Sequence, residues 1–164
     1  MERIVSYQYT ELIQAGFDLI PQAIADRLRH IQFFAGANPV FAVLIDPRVS
    51  ENAQYLCTTW CVSYPWRQTV EDRRTTVIMT DLIPTFSRLL RPVMVVHELG
   101  HCLHEVLDFE PMAKPVTKYA QKDEWEAFAE AFTLWVFPEY GRYYDIIARI
   151  DDKTMALFTQ LIRN

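Results

Sequence analysis

No stretch of this 164-residue chain approaches the roughly 20 apolar residues that a membrane-spanning helix needs. Its start, Met1-Glu2-Arg3-Ile4-Val5-Ser6-Tyr7-Gln8, lacks the apolar segment of an export signal. The expectation is therefore a cytoplasmic chain with no membrane partner, unless it leaves by a signal-free route. Positive charge is also short. Sixteen Lys and Arg face 21 Asp and Glu, a formal charge of −5. That balance argues against a nucleic-acid partner, because phosphate backbones are held by basic surfaces. Cysteine is scarce and odd in number at three, so reduced thiols are expected. Cys57 and Cys61 flank Thr58-Thr59-Trp60. On a strand they stand about 13 Å apart at 3.3 Å per residue, too far to bridge. Cys102 reads as a small apolar packing residue. Repeats, low-complexity tracts and linkers are lacking as well. What is present is 51% apolar and 13% aromatic content, which argues against disorder and is enough for one domain spanning residues 1–164.

Within that composition stands the run His97-Glu98-Leu99-Gly100-His101. Two imidazoles four residues apart on a helix form one jaw of a zinc site, and the glutamate between them is placed to act as a base on a water at the metal. The flanking residues supply the helix. At 100° per residue Val95, Leu99, Leu103 and Val106 share one face, with His97 and His101 on the other. Pro92 suits a first helical turn, where its missing N–H costs nothing. A helix from about residue 92 to 107 is expected, its back in a core and its histidines facing a cleft. A histidine pair merely exposed or satisfied in the core is the plainer alternative.

Two histidines leave zinc short of ligands. His104 stands about 10 Å along the helix axis from His97, so one metal cannot easily hold both. A third histidine six residues after His101 is absent, because that position is Leu107. A carboxylate from a second helix remains. Residues 123–137 contain no Gly or Pro until Pro138 stops the run. Glu126 and Glu130 fall one turn apart on one face. Phe128, Phe132 and Trp135 fall on the other, with Glu124 expected near them. Acids in apolar surroundings need a partner, which a metal and its histidines would provide. Two glutamates that simply face water are the alternative.

HELGH followed by Lys118-Tyr119-Ala120 and Glu126-Ala127-Phe128-Ala129-Glu130-Ala131-Phe132 resembles the catalytic domain of anthrax lethal factor. It is similar as well to the secreted Pro-Pro endopeptidases and to lethal-factor-like metallopeptidases of phage and toxin proteins. The resemblance covers roughly residues 92 to 137. It implies a gluzincin-type zinc site with Glu126 as third ligand after His97 and His101, and Tyr119 as a transition-state stabiliser. The reaction implied is hydrolysis of a peptide bond in a protein or peptide substrate, with Glu98 as general base and zinc and Tyr119 sharing the oxyanion charge. Glu130 could accept the outer N–H of a ligand histidine.

The N-terminal half carries no such signature. Residues 10–17 and 21–34 are helical in period, with Gly16 and Gly36 as breaks. Residues 40–45 read as a buried strand, and residues 55–64 and 75–80 as an antiparallel pair. Residues 143–150 and 154–162 read as closing helices, with Asp151 as N-cap of the last. The fold class expected is α+β: a zincin-like metallopeptidase domain, a small mixed or antiparallel sheet carrying the HELGH helix and a following glutamate-ligand helix. A regulatory metallopeptidase of the ImmA/IrrE type, cleaving a repressor, also carries HELGH and an acidic-alanine helix ending before a proline. A non-catalytic zinc-binding module is the remaining class, although a purely structural site has no need of Glu98. Peptide deformylases pair an upstream cysteine with a histidine motif, but their glycine-rich and glutamine-containing segments are lacking.

Overall fold

Helix α1 (Tyr7–Leu19) lies against helix α3 (Arg91–Val106), which lies in turn against helix α4 (Glu124–Val136). A short helix α2 (Gln22–Arg27) and a C-terminal helix α5 (Asp152–Leu161) are the other α-helices among the described residues. The computed structural model describes residues 7–37, 61–67, 73–80 and 87–163. The expected strand at residues 40–45 and the pair Cys57–Cys61 fall wholly or partly outside these.

Each core helix forms where its sequence directs it. Helix α3 starts with Pro92 in its first turn and buries Val93, Val95, Val96, Leu99, Cys102 and Leu103. Asp123 caps α4, its Oδ1 accepting from the Glu126 N–H at 2.8 Å, and Pro138 ends the run. Asp151 caps α5 in the same way, accepting from the Thr154 N–H at 3.1 Å. The apolar face of α4 then closes an aromatic cluster in which Phe128 and Phe132 meet Phe158 at ring distances of 5.5 and 5.6 Å. Among the described residues, no helix is long and apolar enough to cross a membrane.

The expectation of an α+β zincin-like domain built on a sheet is corrected here. The described chain is mostly helical, and helix packed on helix holds its core and carries its site. Three short strands, β1 (Gln32–Ala37), β2 (Cys61–Arg67) and β3 (Arg73–Thr80), pair in the order β1-β3-β2. Among the described side chains they give the core only Phe33 and Val77. The apolar residues that drive burial recur at helical spacing, so helices rather than strands organise the interior. Two local expectations change too. The helical period over residues 21–34 ends at Arg27, and the chain leaves a turn to enter β1. Residues 143–150 form no helix. Their backbone is used instead in a single antiparallel bridge, Thr117 to Ile146, with Ile147 N–H donating to the Val116 carbonyl at 2.9 Å.

Gly16, expected as a break, lies inside α1. A Cβ there would meet Val95 Cγ1 at 2.5 Å and Val95 Cβ at 2.6 Å, so α1 approaches α3 through this glycine. Gly100, in the motif, does the same between α3 and α4. A Cβ there would lie 3.0 Å from Ala129 Cα and 3.2 Å from Phe132 Cδ1. Gly100→Ala and Gly16→Ala are each expected to lower stability by about 1–3 kcal/mol through overpacking, the Gly16 change more. Thermal melting checks this. Only Gly100→Ala should also weaken metal binding, because it alone wedges apart the two helices that carry the histidines and glutamates.

Candidate metal centre

The close approach at Gly100 and Ala129 lets side chains from α3 and α4 meet. His97 and His101 project one turn apart from α3, and their rings stand edge to face at 4.9 Å. Their Nε2 atoms are 3.2 Å apart. The Asp123 cap places Glu126 in the first turn of α4. Glu126 Oε2 lies 3.1 Å from His97 Nε2 and 3.4 Å from His101 Nε2. One ligand atom from each of these three residues falls within 4.8 Å of the others, and this is the metal-competent group among the described residues.

The chemistry of the donor set fits a cation. His97 Nδ1 lies 3.0 Å from Glu130 Oε1, so the ring donates on that side and presents the Nε2 lone pair on the other. That lone pair faces His101 Nε2 and a carboxylate oxygen which, though buried, has no hydrogen-bond partner. Three electron-pair donors turned toward one point repel each other unless a proton or a cation lies among them. The surrounding charge agrees. Burial disfavours the charged form of His97, yet Glu126, Glu130 and Glu98 outweigh it and raise the pKa well above the usual value. Burial also works against ionised Glu126, but the His101 and His97 imidazoles beside it push its carboxyl well below the usual range. The group therefore draws positive charge, and His97, His101 and Glu126 can hold a metal ion.

The remaining expected residues lie around this point. Glu98 is buried on the same turn of α3 and contributes to the raised pKa of His97. The Tyr119 hydroxyl donates to Glu126 Oε1 at 3.1 Å, and its ring stands 6.2 Å from that of His97. Tyr119 is 47% exposed, so the phenol borders the site without belonging to the core. Glu130 is almost fully buried. Its Oε1 accepts from the Tyr140 hydroxyl at 2.8 Å and its Oε2 from Thr117 at 2.7 Å, beside the contact to His97. Burial would raise its pKa, but the His97 hydrogen bond and charge, with Thr117 and Tyr140, hold it below the ordinary range.

His104 stays apart from the group. Its Nε2 donates to the Pro111 carbonyl at 2.9 Å and its ring stacks on Phe128 at 4.2 Å. Burial lowers its pKa, so it is a neutral core histidine. Cys102 is buried too, its thiol pKa pushed up by burial and by Glu98 and Glu105. Glu124 does not sit among the aromatics as expected. It is exposed in the first turn of α4, while Glu126 of the same turn faces α3.

Three residues near the site escaped the sequence reading: Thr117, Tyr140 and Lys122. Lys122 Nζ stands 3.6 Å from Glu126 Oε1 and 5.7 Å over the Tyr119 ring. Its position four residues before Glu126 on the chain was the available signal. Thr117 reaches Glu130 from irregular backbone 13 residues before it, and Tyr140 from a short 3-10 turn 10 residues after it, contacts that no single sequence period links.

Compared with models of protein families, with curated proteins and with solved structures, the chain matches none of them.

Proposed function

We propose that this chain is a zinc-dependent endopeptidase acting on a protein or peptide substrate. The observation that carries the reading is the convergence of His97, His101 and Glu126 on one point, with Glu98 buried in the same helical turn as the two histidines. Two imidazoles and one carboxylate are a donor set that suits zinc and leaves a position open for water. Bound there, zinc supplies Lewis-acid polarisation of the scissile carbonyl and lowers the pKa of water.

The chain's own groups do the rest. Glu98 accepts the proton of the attacking water as its oxygen bonds to the carbonyl carbon. It then passes that proton to the amine as the C–N bond breaks. Glu130 holds His97 by Nδ1, keeping its Nε2 directed at the metal position. Tyr119 turns its hydroxyl from Glu126 Oε1 to the developing oxyanion, a rotation that its exposure permits. Incubation with a peptide library, read by mass spectrometry with and without chelator, tests the reading. Cleavage that chelator abolishes is expected, and a library left intact under zinc-replete conditions contradicts it.

Tyr119→Phe is expected to lower turnover by about 10²-fold, the lower end of what one oxyanion donor contributes. KM should move little, because the interaction forms only as charge develops. Zinc content and thermal stability should stay near wild type. Single-turnover cleavage of a library substrate checks this. An unchanged rate would make Tyr119 a packing residue.

A further inference from the structure

Thr117 is only 1% exposed and lies in irregular backbone before the ligand helix. Its hydroxyl has two partners with different tasks. It donates to Glu130 Oε2 at 2.7 Å, and it accepts from the Ala120 N–H at 3.0 Å. The first partner is the carboxylate that holds His97 Nδ1 at 3.0 Å through its other oxygen. The second lies in the short turn Tyr119–Gln121, whose first residue reaches Glu126. The backbone on either side of Thr117 is pinned independently. Thr117 bridges Ile146, and Lys118 N–H donates to the Asp145 carbonyl at 3.1 Å. Neither of those contacts touches Glu130. The hydroxyl is thus the direct hydrogen-bonded link between the turn that carries Tyr119 and the acid that orients His97.

We infer that Thr117 is a positioning residue, whose single hydroxyl sets the Tyr119 turn in register with the carboxylate that orients the His97 imidazole. The inference rests on the metallopeptidase reading for its consequence, but not for its geometry. A threonine suits the task because one O–H can donate and accept at once. Valine, of the same shape, can do neither. It leaves a buried carboxylate oxygen and a buried N–H without the bonds they now make, a change felt at both ends. Tyr140 serves as the internal comparison. It also donates to Glu130, at 2.8 Å, but has no bond to the Tyr119 turn among those that define the site.

The test uses the full chain with Thr117→Val, Thr117→Ser and Tyr140→Phe, each alone and with Tyr119→Phe. Zinc affinity is read by competition with a chromophoric chelator. Exchange of the His97 Nδ1 proton is read by NMR, and turnover on a library substrate. Thr117→Val is expected to weaken zinc binding and speed the proton's exchange, each by about tenfold, while Thr117→Ser restores both. Adding Tyr119→Phe should then cost less than about threefold in turnover on the Thr117→Val background. It should keep its full cost on the Tyr140→Phe background, because only Thr117 is coupled to the turn. If Thr117→Val does not fold by circular dichroism, Thr117→Cys, a weaker donor, should give the same losses in smaller degree. Wild-type affinity, exchange and additivity in Thr117→Val would overturn the inference while leaving the endopeptidase reading standing. Thr117→Ser as impaired as Thr117→Val would overturn it as well, by assigning the role to the methyl group. Should the wild-type chain bind no zinc, the endopeptidase reading falls, and exchange of the His97 proton still decides what Thr117 does.

Discussion

Glu98→Gln is expected to keep fold and zinc and to lose hydrolysis by about a thousandfold or more. Glu98 is buried on α3, and glutamine has the same shape, so the helix and its packing on α4 stay as they are. The amide cannot take a proton from water. The loss therefore lies in the chemical step, with KM nearly unchanged. His97 loses one of three carboxylates that raise its pKa, but the two that contact it, Glu126 and Glu130, remain. Zinc content by elemental analysis and kcat on a library substrate check the prediction together. A variant as active as wild type would remove Glu98 from the reaction. Zinc bound by both proteins with cleavage by neither would turn the site into a binding module.

Glu126→Ala is expected to weaken zinc binding by more than about a hundredfold, beyond the 10- to 100-fold that losing an outer hydrogen-bond partner costs. Glu126 brings to the cluster the carboxylate oxygen that lies 3.1 and 3.4 Å from the two imidazole nitrogens. Glu130→Ala should fall within the 10- to 100-fold range, because Glu130 touches His97 through Nδ1 and not through the nitrogen that faces the metal position. Glu124→Ala should leave affinity unchanged, since its side chain is exposed at the start of α4. Competition with a chromophoric chelator ranks the three. Equal affinity in the Glu126 variant and the wild type would move the third ligand elsewhere.

The parts of the site that were legible in the sequence are those that a regular helix dictates. His97 and His101 meet because residues four apart stack on one face, and Glu126 and Glu130 do so for the same reason. Pro92, Asp123 and Pro138 mark helix ends through local stereochemistry, which acts within a turn of the residue that carries it. What was not legible depends on contacts between distant segments. Tyr140 and Thr117 became visible only when Glu130 was seen buried between them. Residues 143–150 have apolar side chains at a helical period, yet most are exposed, and their backbone bridges residues 116–118 instead. Gly16 shows the limit of reading glycine as a break, since it is a contact surface for Val95 within α1. The expected sheet-centred α+β fold failed for a related reason. Residues 61–67 and 73–80 do pair antiparallel, close to where a pair was expected, but among the described residues the burial that decides the architecture lies mainly in the helices.

The proposed activity requires that His97, His101 and Glu126 hold one zinc ion. Titration of zinc into the chelator-treated chain, followed by competition with a chromophoric chelator, measures this directly. One equivalent per chain, lost in His101→Ala and in Glu126→Ala, is the result expected. Saturation well below one equivalent that added metal does not restore, or an equivalent that survives both substitutions, would contradict it.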